Sequence, residues 1–506
     1  MKLNRAANAK KGIIYGIVNK FLTLLSQFVV QTVVIRQLGI EYGGLRGLFS
    51  SILMMLSLVE LGFGSAVVFS MYKPIAEDNI ETICALLNFY KKVYRVMGWI
   101  ILAIGIVIMP FLTSLIDGEY PIEINIYVVF VLFLMNTVFS YWLFAYKSSL
   151  LSAYQRTDVS SNIQSVTYVG MSLFQVLVLI ITHNFYVYLI IAIIFTIINN
   201  IVVSFVVDKM YPEIKCYGSI PKDLLQNIKI KVGGLFIGQL CGTTRNAFDN
   251  IFISMFLGLT QAAMYGNYFY VLNALQGISS IVVAPLMGGV GNSIATETKE
   301  KNLKDMMQLD FIYLLICGWM AICMLCLYQP FMSLWMGREL MFPMDIVVLF
   351  PIYFYLIHMG NMRAVYSDAA GLFWENRTRS IVETIANISL NYFLGKYFGV
   401  FGILLATLIT VFICAFCWAA FVLFKHYFGK GLREYFLHQF CYAIVTIIVG
   451  GITYLACIKL TKMDIGGIVC RGGLCVLIPA ILYYITYCKT KIFKESVLWL
   501  KRVVSK

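Results

Sequence analysis

The chain has 506 residues, of which 60% are hydrophobic and 13% charged. Soluble domains carry about 25% charged residues, so a soluble globular protein is excluded. The net charge of +14 would point to nucleic acid in a soluble chain. Here Lys and Arg sit in short segments between long apolar runs, where lipid headgroups and topology account for them and nucleic acid does not.

The basic start, Lys2 to Lys11, leads into an apolar run without a small-residue cleavage site, and reads as a retained first helix. A bilayer core takes about 20 apolar residues per helix, and about fourteen such runs follow one another. The first six are Gly12–Ile35, Gly44–Tyr72, Val93–Leu115, Ile124–Tyr146, Ser161–Ile181 and Phe185–Val207. A Pro-containing stretch, Asp208–Lys231, separates them from Val232–Leu257, Ala262–Val290, Phe311–Leu334, Ile346–Gly371, Ser380–Tyr397 and Phe401–Phe424. Phe436–Ile458 and Ile465–Cys488 close the series, followed by a basic tail.

With the N-terminus inside and strict alternation, 29 Lys/Arg fall on inner segments, six on outer segments and four within spans. This is the asymmetry of the positive-inside rule, and it places both termini in the cytoplasm. Outer loops are short, which argues against an enzyme carrying its active site on an external loop. The 13 cysteines lie mostly within apolar runs and read as small hydrophobes. They and the four scattered histidines show no metal-ligand spacing.

The two six-helix blocks repeat weakly. Leu38-Gly39-Ile40 through Gly47 aligns with Leu257-Gly258-Leu259 through Gly266 at an offset of 219 residues, and Tyr154-Gln155-Arg156 aligns with Trp374-Glu375-Asn376 at a similar offset. An even number of helices per block makes the repeats parallel. The expected architecture is an all-α polytopic membrane protein with an N-lobe (1–208), a cytoplasmic linker (209–231), a C-lobe (232–424), and two extra helices with a basic tail (425–506).

Charges inside spans are costly, about 2.5–3.5 kcal/mol by insertion scales, and mark substrate or ion paths. Lys20, Arg245 and Arg363 are such cations, and Arg46 lies near the outer end of the second span. They suit a phosphorylated headgroup, Arg through bidentate geometry. The plainer account is snorkelling for Lys20 and an i,i+4 pair between Arg245 and Asp249. The acids are Glu60, beside Gly62 and Gly64, with Asp249, Asp368 and Glu383. Glu60 and Asp249 are candidates for proton coupling, with pairing to Lys20 or Arg245 as the structural alternative. Asp368 and Glu383, about a turn from the inner face, are candidates for a cytoplasmic gate with Arg377 or Arg379, or else simply solvated. Tyr141, Trp142, Tyr146, Tyr353, Tyr355 and Tyr366 are candidate sugar-stacking rings, or else core and interfacial residues.

Three stretches carry a family resemblance: Val33–Gly47 with Glu60–Ala66; Asp249–Ser254 with Leu257-Gly258 and Tyr265-Gly266; and Gly371–Arg377 with Glu383–Asn387 and Gly399–Ile403. In these the chain resembles the polysaccharide flippases (Wzx-type, or polysaccharide transporter, proteins) of the MOP superfamily. The resemblance implies a non-enzymatic flippase in the bacterial plasma membrane. It would carry undecaprenyl-diphosphate-linked oligosaccharides by alternating access, for capsule, O-antigen or exopolysaccharide synthesis. Implied partners are that lipid-linked oligosaccharide, membrane lipids, and the polymerase and chain-length machinery of the same pathway. No cofactor is implied beyond proton or Na⁺ coupling. The related lipid II flippases suggest a Na⁺ site at Asp249, Asn387, Asn391 and Thr407, although Asn391 stands where a carboxylate is expected. The alternatives are a MATE-like cation-coupled drug exporter and a polytopic lipid-linked sugar transferase or polymerase. The latter would draw its acid from the outer loop with Asp117, Glu119 and Glu123.

Overall fold

The computed structural model describes residues 5–60, 63–118, 120–283, 286–460 and 463–504. In chain order its helices are α1 (Arg5–Leu38), α2 (Ile40–Leu56), α3 (Phe63–Ala76), α4 (Ile80–Ile108), α5 (Ile126–Trp142), α6 (Ser148–Ala153), α7 (Thr157–Thr182), α8 (Phe185–Met210) and α9 (Lys222–Val283). They continue with α10 (Leu286–Thr296), α11 (Lys299–Trp335), α12 (Met344–Val347), α13 (Leu349–Met359), α14 (Asn361–Ala369), α15 (Arg377–Thr410), α16 (Ala419–Leu423), α17 (Leu432–Ile458), α18 (Ile465–Tyr487) and α19 (Lys491–Val504). No strand occurs among the described residues, as a bilayer requires of a chain that does not close into a barrel.

Among the described residues ten helical runs are long and apolar enough to cross a membrane, or eleven if the bent pair α5–α6 is one span. This makes the chain a multi-pass membrane protein. The expected fourteen spans do not appear as fourteen separate long helices, for a local reason. The seventh and eighth predicted spans are one run broken at Gly258 (φ 79°), and the eleventh and twelfth are one run broken at Gly399 (φ 59°). The second predicted span is cut by a 3₁₀ turn, Ser57–Glu60, leaving α2 and α3 too short to count. The tenth does count as one run, Met344–Ala369, although Gly360 parts α13 from α14.

The chain divides into two compact units, Met1–Ala263 and Met264–Lys506. The stretch 209–263, including the first part of α9, lies with the first unit.

In the first unit α1 packs along α7, joined by Asn19 donating to Asn162 at 2.8 Å, and α5 packs between α4 and α8. Asn79, Asn125 and Asn184 cap α4, α5 and α8 by accepting backbone N–H groups of the first turn, which satisfies donors a helix leaves open. On α8, Ile190, Ile194, Ile198, Ile201 and Phe205 form one exposed row at helical spacing, the face such a helix turns to lipid. Gly44 allows a close backbone approach, since a Cβ there would stand 2.2 Å from the Leu259 carbonyl oxygen.

In the second unit α11 is the central post, contacting α13, α14, α17 and α18. Val411–Trp418 and Phe424–Phe428 are π-helical, a geometry that recurs at functional sites. The tail expected as a simple basic extension forms helix α19, tied to α11 by a Lys304–Glu495 ion pair of 3.2 Å.

Candidate functional site

The first unit holds an uncharged polar cleft of about 380 Å³ between α5, α7 and α8. Asn136 and Ser140 come from α5, Gln164, Thr167, Tyr168 and Gln175 from α7, and Tyr188, Thr196, Asn199 and Asn200 from α8. The amides are held in fixed orientations. Thr196 donates to Asn136 Oδ1 (2.7 Å), Thr167 to Asn199 Oδ1 (3.0 Å), Asn199 to Asn200 Oδ1 (3.2 Å), and Gln175 to the Tyr188 carbonyl (3.2 Å). Phe133 and Phe195 add aromatic walls. No charged side chain lines the cleft among the described residues. A cation stands beside it: Arg46, half-buried on α2, donates from Nη1 to the Tyr188 hydroxyl at 3.2 Å. The sequence pattern singles out Arg46 but none of these amides. Their one signal is the density of Asn, Gln and Thr inside three apolar spans.

Glu60 sits at the end of the 3₁₀ break. Its carboxylate accepts hydrogen bonds from the Tyr94 and Tyr141 hydroxyls, the latter at 2.6 Å. Tyr90 in turn donates to Tyr94 at 2.8 Å. Tyr90 also lines a second cavity with Gly64, Ser65, Ser148, Ser149 and Ser152. A row of hydroxyls therefore runs from that cavity to the acid. The partners of Glu60 are tyrosines, and its contemplated pairing with Lys20 is not formed: Lys20 is exposed on α1. Gly62, beside Glu60 in the sequence motif, lies outside the described residues, as does Glu119.

Asp249 is 1% exposed on α9 and Arg245 is half-buried one turn before it. Both belong to the first unit.

The remaining predicted residues fall in the second unit. Arg363 is 6% exposed and donates from Nη2 to the Ala415 carbonyl (2.7 Å), an oxygen within the π-helical segment. Glu383 pairs with Arg379 at 2.6 Å, with side chains 2% and 16% exposed. Arg377 instead lies over the Trp374 ring, 4.1 Å from its centre. Of the two arginines considered as gate partners, Arg379 holds the acid. Asp368 is exposed.

Asn387, Asn391 and Thr407 do converge. Asn387 donates to Thr407 and Thr410 (3.2 Å each) and Asn391 donates to Asn387 Oδ1 (3.3 Å), all buried. Thr410 belongs to this cluster without a sequence signal to mark it. Neutral side-chain oxygens of this kind suit a hard cation best with a carboxylate nearby. The fourth predicted ligand, Asp249, belongs to the other unit.

Of the predicted stacking rings, Tyr353, Tyr355 and Tyr366 are buried in the second unit's core, and Tyr141 and Tyr146 in the first unit's. Trp142 packs on Trp99 at 4.6 Å. Cysteines 326, 457 and 475, far apart in sequence, bring their sulfurs within 4.8 Å of one another in the buried contact of α11, α17 and α18. Sequence spacing gives no sign of this gathering.

No known protein family matches the sequence, and no curated relative does. Solved structures do match its fold. The lipid II flippase MurJ in an inward closed conformation aligns over 94% of this chain and 98% of its own, with a TM-score of 0.66 at 14% identity. An inward-facing multidrug resistance MATE transporter of the MOP superfamily covers 81% of this chain and 97% of its own (TM-score 0.60, 15% identity). A mutant of the Vibrio cholerae MATE transporter VcmN covers 86% and 100% (TM-score 0.58, 16% identity). The chain thus has the fold shared by these transporters.

Proposed function

We propose that this chain is a flippase for an undecaprenyl-diphosphate-linked oligosaccharide in the bacterial plasma membrane, with both termini cytoplasmic, working by alternating access and making no covalent change to its cargo. The observation that carries this reading is the cleft between α5, α7 and α8. Amides and hydroxyls locked in orientation, with aromatic walls and no charge, match the donors, acceptors and apolar faces of a neutral sugar. Arg46, bonded to Tyr188 at the cleft, supplies a guanidinium for the diphosphate. Lys20, exposed on α1, and Arg245, half-buried on α9, are further cations for the headgroup's path. Arg363 is assigned an indirect role, because its guanidinium is engaged by the Ala415 carbonyl. The fold shared with a lipid II flippase and the sequence resemblance to polysaccharide flippases support the same reading. The polymerase and chain-length machinery of the pathway would be its partners.

A second reading is a cation-coupled exporter of organic compounds, favoured by the MATE folds and by the Glu60 carboxylate with its tyrosine relay. Proton exchange at Glu60 is compatible with either cargo. The buried Asn387, Asn391 and Thr407 cluster of the second unit belongs to the proposal as an alternative, Na⁺-linked means of coupling.

The deciding experiment is reconstitution into vesicles, scoring leaflet exchange of a labelled lipid-diphosphate sugar and, in parallel, uptake of a cationic dye. Exchange of the lipid that is lost in Asn136→Leu/Gln175→Leu supports the flippase. Dye transport with no lipid exchange overturns it in favour of the exporter.

A further inference from the structure

The second unit contains an acid that neither the spans nor the family motifs single out. Asp310 lies on α11 and is 1% exposed. Gln439 faces it from α17 and is 0% exposed. The Gln439 amide nitrogen donates to Asp310 Oδ2. The other two oxygens of the pair, Asp310 Oδ1 and Gln439 Oε1, are buried without a hydrogen-bond partner among the described residues.

A carboxylate and an amide carbonyl are both acceptors, so neither orphan can satisfy the other while Asp310 is ionised. A single proton on Oδ1 changes that. Protonated, Asp310 offers one donor and one acceptor side by side, and the Gln439 amide offers the complementary acceptor and donor. The two groups then close a ring with two parallel hydrogen bonds, and no buried oxygen of the pair is left over. A buried acceptor left without a donor forfeits its hydration with nothing in return, and the bound proton removes that loss at both oxygens.

An alternative partner waits on α14. The Nε atom of Arg363 is also buried without a hydrogen-bond partner among the described residues, and Arg363 lies within electrostatic reach of Asp310. The acid therefore has two satisfied arrangements. With its proton it pairs with Gln439 and ties α17 to α11. Without it, the carboxylate would turn to the guanidinium.

We propose that Asp310 is a proton-binding site whose occupancy decides whether the trailing helix α17 or the broken segment α14 holds α11. Nothing in this depends on the cargo.

Other titratable groups surround the acid. Tyr355 on α13 and Tyr435 and Tyr442 on α17 lie in its field, as does Cys317 on its own helix. From α18, Tyr487 packs on the neighbouring Phe311, and α19 contributes Glu495, already paired with Lys304. His438, adjacent to Gln439, stacks on Tyr442 and is the neighbour replaced in the control variant.

The test is pH-difference infrared spectroscopy on the full-length protein in nanodiscs. The expected result is a protonated-carboxyl band that titrates as one site, vanishes in Asp310→Asn, and survives in His438→Gln. Arg363→Gln, lacking the competing partner, should carry the band to higher pH. Asp310→Asn supplies its own donor to Gln439, so its melting temperature should no longer vary with pH where the wild type's does. Should Asp310→Asn not fold, Gln439→Met decides: the band moves to the position of a free acid if the pair exists, and stays in place if it does not. A band unchanged in Asp310→Asn, or no such band in the wild type from acidic to alkaline pH, overturns the proposal.

Discussion

Gly39 and Gly258 stand 219 residues apart and do the same thing. Each breaks a helix with a positive φ and an extended ψ, 115° and 164° at the first, 79° and 178° at the second, a region open essentially to glycine. The interiors that follow are unlike. The first unit gathers neutral amides and hydroxyls in a cleft, and the acid Glu60 is held there by tyrosines. Both units bury formal charge, Asp249 and Lys147 (paired with Asp208) in the first, and in the second Arg363 on a backbone carbonyl, Arg379 on Glu383, and Asp310 against Gln439. A glycine at positive φ dictates where a helix turns, because turn geometry is a backbone property. It leaves the interior free to diverge, because each buried polar group needs only a local partner. On the proposed function, the sugar and the headgroup cations Arg46, Lys20 and Arg245 belong to the first unit.

The largest effect should come from splitting the buried Arg379–Glu383 pair of the second unit. Arg379→Met takes the cation from the buried Glu383 carboxylate, and breaking a buried ion pair costs about 3–5 kcal/mol. Arg379→Met/Glu383→Leu together should recover most of that loss in thermal unfolding. A double variant as unstable as the single one would show that the two side chains matter for packing and not for their charge.

The repeat itself is tested next. Gly258→Ala sets a Cβ 2.7 Å from the Asp117 carbonyl oxygen, whereas at Gly39 the nearest atom is the flexible end of Glu41, 3.0 Å away. Both substitutions carry backbone strain of about 1–3 kcal/mol, and Gly258→Ala should be the more damaging because a backbone carbonyl cannot swing aside. Equal melting temperatures for the two would remove that distinction.

The cleft should respond in binding and leave stability nearly untouched. Thr196→Val removes the donor that orients Asn136, and a lost hydrogen bond of this kind is worth about 1 kcal/mol. Affinity for a soluble sugar-diphosphate analogue should fall about fivefold, read by calorimetry, with the melting temperature nearly constant. The smallest effect belongs to the exposed Lys73–Glu77 pair at 3.8 Å. Lys73→Ala should change stability by less than about 0.5 kcal/mol, a baseline for the rest.

Most long helices could be read directly from the residues that form them. From Phe185 to Met210 and from Ile465 to Tyr487, each follows its apolar run to within a few residues. Helix formation in lipid answers to a local requirement: every backbone group must be satisfied within its own segment. The helix breaks at Gly39 and Gly258 were legible for a similar reason, since a glycine held at positive φ leaves a local mark. Which polar groups meet was not legible. The cleft draws on three helices, and Asp310 finds Gln439 across 129 residues. The tyrosines that hold Glu60 come from α4 and α5. Such partnerships arise only when helices pack side by side, and no periodicity along one helix records what faces it from the next.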